Sequence, residues 1–104
     1  MTEERFEMLC NECLLAVRNV SPIKTGNLRF NATMRRMTDG KTCVIYVDED
    51  IAPYMPFTTE PWISPKWNGK KNPNEGWWQE KAKAAITETI RQFLARQIVK
   101  ETEL

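Results

Sequence analysis

Histidine is absent from these 104 residues. That removes Ser–His and Cys–His nucleophile pairs and every histidine metal ligand, though carboxylate and lysine chemistry stays open. A glycine-rich phosphate loop is also missing, since Thr25-Gly26 is an isolated dipeptide. Net charge is nearly absent: 15 basic residues face 14 acidic ones, a formal +1, which is not the strongly basic balance of a protein that wraps nucleic acid. No apolar run reaches membrane-spanning length. The opening MTEERFEMLC carries acids and no basic n-region, so it does not read as a secretory leader. A reducing, cytoplasmic compartment is the default expectation, in which three cysteines, an odd number, fit free thiols better than a disulfide framework. The length suits one domain, 1–104, with a single core.

What is present alternates helix and strand patterns. Phe6, Leu9, Cys10, Cys13, Leu14 and Val17 recur at three- and four-residue steps, which predicts a helix over 3–18. Glu3, Glu4 and Glu7 suit the positive end of its dipole, and Asn19 and Pro22 close it. Residues 27–37 then switch to period two. Leu28, Phe30, Ala32 and Met34 fall on one face, and Asn27, Arg29, Asn31, Thr33 and Arg35 on the other. This predicts a half-buried strand with the even residues inside. Asp39-Gly40 supplies the positive φ of a tight hairpin, and 42–48, rich in β-branched and aromatic residues, is the return strand. Cys43, Ile45 and Val47 are expected to face the core. A two-stranded hairpin is marginal alone and needs cover.

The composition changes at Pro53. Five of the six prolines lie between Pro53 and Pro73, with Trp62 and Trp67 among them. Long connections of this kind are functional or disordered, and the aromatics argue against plain disorder. Tyr54 to Thr58 reads as a short turn of helix or an extended edge. The last element is a long helix. Asn72-Pro73-Asn74-Glu75 offers a cap and a proline at the first position, while Gly76 allows a start near Trp77 instead. Trp78, Ala82, Ala85, Ile86, Ile90, Phe93, Leu94 and Ile98 form its apolar stripe. Running to about Glu101, it would span roughly 40 Å, more than so small a domain is wide. The predicted class is α+β: N-terminal helix, antiparallel β-hairpin or small sheet, long proline- and tryptophan-rich loop, long C-terminal helix.

Several groups invite chemistry. Cys10-x-x-Cys13 has the spacing of a redox or zinc half-site, but both lie on the apolar stripe and Cys43 is isolated on a strand. Core packing is the better reading, and no metal or cofactor is expected. Lys66, Lys70 and Lys71 around Trp67, with Arg29, Arg35 and Arg36, have the basic-plus-aromatic look of a nucleic-acid contact; the competing reading is a solvated loop and sheet face. Asp48, Glu49 and Asp50 could hold a cation or act as a carboxylate pair, or form a solvated turn. Trp62, Trp67, Trp77 and Trp78 fall within seventeen positions. Aromatic anchors are enriched at interfaces, and Trp62 and Trp67 divide evenly between interface and core. Trp78 is expected inside, because it starts the stripe.

Pro22, Thr25, Gly26, Leu28 and Arg29 form a Pro-x-x-Thr-Gly-x-Leu-Arg segment between the first helix and the first strand. Ala52, Pro53, Tyr54, Met55, Pro56 and Phe57 then follow the hairpin, in the place of a Tyr-Ala-x-Tyr-like segment. In this order, over about residues 5 to 98, the chain resembles the minor capsid and minor tail proteins of tailed bacteriophages and prophages, the head–tail connector and tail-completion group. It departs from that pattern after Phe57, where Thr58-Thr59-Glu60 and the insert PWISPKWNGKKNPNEGWW stand.

The resemblance implies a non-enzymatic structural protein working as a ring of copies at the head–tail joint. Its partners would be itself and other joint proteins such as portal, adaptor or tail tube, with at most transient DNA contact and no membrane. It would reside in the virion and assemble in the cytoplasm of the bacterial host. Tyr54, Phe57, Trp62 and Trp67 are the expected interface, and Pro22, Thr25, Gly26, Leu28 and Arg29 an architectural motif. The runner-up is a small nucleic-acid-binding module using a basic sheet face and loop. A carboxylate-dependent enzyme built on Asp48 to Asp50 is third.

Overall fold

The computed structural model describes residues 2–22, 27–39, 42–61, 63–64 and 70–102. Among them the class is α+β, as expected. Helix α1 is Glu3–Val20. The Thr2 hydroxyl accepts from the Arg5 amide at 3.2 Å, so threonine caps the helix ahead of the two glutamates of its first turn. Ser21 leaves helical geometry, and its amide and hydroxyl return to the Val17 carbonyl.

The next segment corrects the strand expected over 27–37. Asn27–Ala32 is a wide, π-type helical turn, and strand β1 is only Thr33–Thr38. Leu28 and Ala32 are both buried, but Phe30 is 61% exposed. A four-residue step satisfies one face of a helix as well as alternate positions of a strand, and Phe30, midway between, is where the two geometries differ. The buried Thr33 hydroxyl donates to the Leu28 carbonyl at 2.8 Å and closes the turn.

β2, Thr42–Val47, pairs antiparallel with β1 in a two-stranded sheet, from Thr33↔Val47 to Thr38↔Thr42. Asp39 has φ 61°, so the turn takes the positive-φ geometry its sequence predicts. The face of β1 turned toward the helices is Thr33, Arg35 and Met37, opposite Val47, Ile45 and Cys43. This reverses the phase expected for β1, in which Met34 was inside and Arg35 outside. Arg35 reaches α1, donating to Asn11 Oδ1 at 2.7 Å and to Glu7 Oε1 at 3.3 Å. The phase expected for β2 stands: Ile45 and Val47 pack against the core.

Helix α2, Met55–Thr59, is the short helical alternative. The two-residue strands β3 (Ile63–Ser64) and β4 (Lys70–Lys71) pair antiparallel. Residues 73–76 form a turn rather than a helix start, and Gly76, at φ 73°, opens the last helical element. That element begins as a π-type segment, Trp77–Ala82, and continues as α3, Lys83–Thr102.

α3 runs back along α1. Val17 shares a cluster with Leu28, Ala32, Ala52, Met55, Trp77 and Ala82. Leu9, Cys13 and Phe93 form a second cluster, and Ile45 and Ile86 touch both. Arg5 and Arg96 lie over the Phe93 ring at 5.1 and 5.7 Å, and Arg96 pairs with Glu12 at 2.7 Å. Trp77, 1% exposed, is the buried indole among the described residues. Trp78, expected in that place, is half-buried against it, edge-on at 5.5 Å and 82°. The molecule is elongated, 60 × 25 × 19 Å.

Candidate functional site

Two places expected to matter can be built from their residues: the motif after α1 and the base of the proline- and tryptophan-rich segment. In the motif, Pro22 is half-buried, Leu28 is core, and Thr25 and Gly26 lie outside the described residues. Arg29 is the informative member. Its Nη2 donates to the carbonyls of Asn19 at 3.1 Å and Ser21 at 2.6 Å. A helix leaves its last carbonyls without partners, and a cation there also meets the negative end of the dipole. Arg29 therefore locks the end of α1 to the π-type turn. Arg18 does the same for β1, its Nε and Nη2 on the Thr33 carbonyl at 3.1 and 2.8 Å. The sequence reading placed Arg29 on a wet strand face. The helical turn brings it against α1 instead, and its Nε is buried with no partner among the described residues.

The segment after α2 is held by a polar clamp. Asn72, 5% exposed, donates from Nδ2 to the Thr58 carbonyl at 3.0 Å and the Glu60 carbonyl at 2.8 Å. Its Oδ1 accepts from the Asn74 amide at 2.9 Å. The Trp77 indole N–H donates to Thr58 Oγ1 at 2.8 Å. The Thr59 hydroxyl donates to Gln79 Oε1 at 2.6 Å and accepts from the Trp78 amide at 3.3 Å. The Gly76 amide donates to the Thr59 carbonyl at 2.7 Å. The positive φ at Gly76 aims this amide, and a Cβ there would sit 3.4 Å from the Glu80 carboxyl. Both ends of the β3–β4 hairpin are thus pinned to the start of the last helix. Around the clamp, Tyr54 (38%), Pro53, Glu60, Pro61, Lys71 and Pro73 are exposed. Trp62 and Trp67 lie outside the described residues, as do Lys66 and the side chains of Phe57 and Lys70. Asn72, read from sequence as a helix cap, caps a turn and ties two segments together. Thr58, Thr59 and Arg18 carried no signal that would single them out.

The charged clusters resolve into local structure. Of the arginines expected on a basic sheet face, Arg29 and Arg35 bond to α1, and Arg36 is exposed. Asp48 Oδ1 accepts from the Asp50 amide at 2.9 Å, an Asx turn.

Cys43 is not isolated. It meets Cys10 between β2 and α1, near Cys13. Burial first, then the Cys43 thiol, pushes Cys10 up to about 12, with Arg35 opposing. Burial also raises Cys13. Thiols held protonated are poor nucleophiles and poor ligands. All three are free, and no group among the described residues is arranged to hold a metal ion. No described helix is long and apolar enough to cross a membrane. Beside Ile45 lies an open groove of about 240 Å³, lined by Trp78, Ala82, Lys83, Ile86 and Thr87.

Comparison of the chain with protein-family models, with curated proteins and with solved structures found no match.

Proposed function

We propose that this protein is a non-enzymatic structural component of the head–tail joint of a tailed phage or prophage, working as one copy in a ring. The observation that carries the reading is the clamped arm. Asn72, Trp77 and Gly76 fix both ends of a hairpin whose sequence, PWISPKWNGKKN, has aromatic and cationic residues and no catalytic constellation. A chain that commits three hydrogen bonds of one buried asparagine to the segments flanking β3 and β4 is positioning that pair. Presentation to a neighbour accounts for this, and aromatic side chains are the anchors such contacts use. The order of motifs along the chain supports the same class. Arg29 gives the Thr-Gly-x-Leu-Arg segment an architectural task that needs no ligand.

The test is genetic complementation of a phage or prophage lacking this gene. Trp62→Ala/Trp67→Ala is expected to leave filled heads and free tails that do not join. Normal assembly by this variant would refute the interface role. Failure of a wild-type copy to restore any step of virion assembly would refute the reading itself.

A further inference from the structure

The two-stranded sheet leaves two outer edges, and they are unlike. The bond from the Asp48 amide to the Ala32 carbonyl, 2.8 Å, fixes which residues face which way, because antiparallel pairs alternate between bonded and non-bonded. With Thr33 opposite Val47, the even residues of each strand bond across the pair. The odd residues turn N–H and C=O outward. On β1 that edge is already blunted: Arg18 occupies the Thr33 carbonyl, and Arg35 and Arg36 would set like charges against any second copy. On β2 the outward groups belong to Cys43, Ile45 and Val47, and none of these backbone groups bonds outward among the described residues. The strand itself, TCVIYV, holds no charge, no proline and no bulge, the devices that keep an edge single.

We propose that two copies of this chain pair through the outer edge of β2, antiparallel and centred on Ile45, to form one four-stranded sheet. The edge chemistry fits only an extended backbone. An identical uncharged strand meets it with no repulsion and with favourable cross-strand pairs: Val44 opposite Tyr46 of the second copy, Cys43 opposite Val47, Ile45 opposite Ile45. Val44, 38% exposed, gains cover on the open face. On the helix face the groove beside Ile45, lined by Trp78, Ala82, Lys83, Ile86 and Thr87, comes to lie next to the second copy's β2. Further along α3, Ile90 (37%) and Leu94 (42%) continue this apolar side. The inference is independent of the head–tail reading.

Amide hydrogen exchange on the full chain tests it. The Cys43, Ile45 and Val47 amides are expected to exchange slowly, and more slowly as protein concentration rises, by roughly tenfold or more between dilute and concentrated samples. Light scattering should give a dimer. Val44→Glu/Tyr46→Glu sets glutamates opposite one another across the new pairing, while the carboxylate at position 44 keeps Arg36 as its neighbour in the old one, so a folded monomer is expected. Val44→Glu/Tyr46→Lys should dimerise again, because the charges then alternate. Fast, concentration-independent exchange at these three amides in the wild-type chain would overturn the proposal whatever the variants do. So would a double-glutamate variant that remains a dimer.

Discussion

At the scale of single residues, Arg29 and Phe30 have exchanged the roles that alternation assigns them. Arg29 holds two carbonyls at the end of α1, and Phe30 stands 61% exposed. Hydrogen bonds from a charged group contribute about 1.5 to 3 kcal/mol, and with the Asn19 bond exposed and the Ser21 bond part-buried, Arg29→Ala should destabilise by about the lower figure in urea titration. Phe30→Ala should stay within about 0.5 kcal/mol of wild type, as surface changes do. The reverse ranking would restore the strand. The thiols give a second test. Cys10 is raised from 9.0 to about 12, mainly by burial. Its unfolded form ionises first as pH rises, so its contribution is whole below pH 9 and is lost between 9 and about 12. Stability measured against pH should fall across that window in the wild type, and less steeply in Cys10→Ala. At neutral pH, alkylation should reach half-buried Cys43 before Cys10 and Cys13, which are 2% and 6% exposed.

At the scale of elements, the described contacts that hold the arm are a small set of polar ones. β3 and β4 are two residues each, far too short to be stable alone. Removing Asn72 strands the Thr58 and Glu60 carbonyls together. Asn72→Ala should therefore speed proteolytic cleavage within 61–71 several-fold, while exchange protection in α1 and α3 changes little. Equal loss of protection in the helices would mean that the clamp stabilises the whole fold. The helices rest on different ground. Leu9 and Cys13 pack on Phe93, and Arg5 and Arg96 cover that ring. Their ion pairs are exposed, Arg96 with Glu12 and Arg91 with Glu88, and such pairs add little.

At the scale of the whole molecule, the shape is long for its mass. The Cα radius of gyration is 16.6 Å, where a compact domain of this length would have about 13 Å. A body so extended keeps few layers between core and solvent, and it exposes Met8, Leu15, Ile90 and Leu94 along its helices. The described core closes with Trp77 as its indole, and Trp62 and Trp67 lie outside the described residues. Trp62→Ala/Trp67→Ala should accordingly melt within a degree or two of wild type. Trp77→Ala should lose about 3 to 5 kcal/mol, as buried aromatics do. If the double variant unfolds, the arm is part of the core and the assembly reading loses its anchors.

The amino-acid sequence by itself determined the ends of several elements, though not the start of β1, which lies at Thr33 rather than 27. Thr2 and the following glutamates, Asp39 at positive φ, and Gly76 before Trp77 act within a few residues, through capping bonds and allowed backbone angles. Those signals survive whatever the chain packs against. The α+β class and the uncharged β2 strand were legible for the same reason. Tertiary structure alone decided the phase of β1. Leu28 and Ala32 suit a strand or a helical turn, and contact with Val17 and Trp77 selected the turn, which reset β1 so that Arg35 meets Glu7 and Asn11. Which of two adjacent tryptophans is buried, and that Cys43 lies against Cys10, likewise depend on partners distant in sequence. Such contacts follow from how whole faces fill a shared volume, and no window of a few residues encodes them.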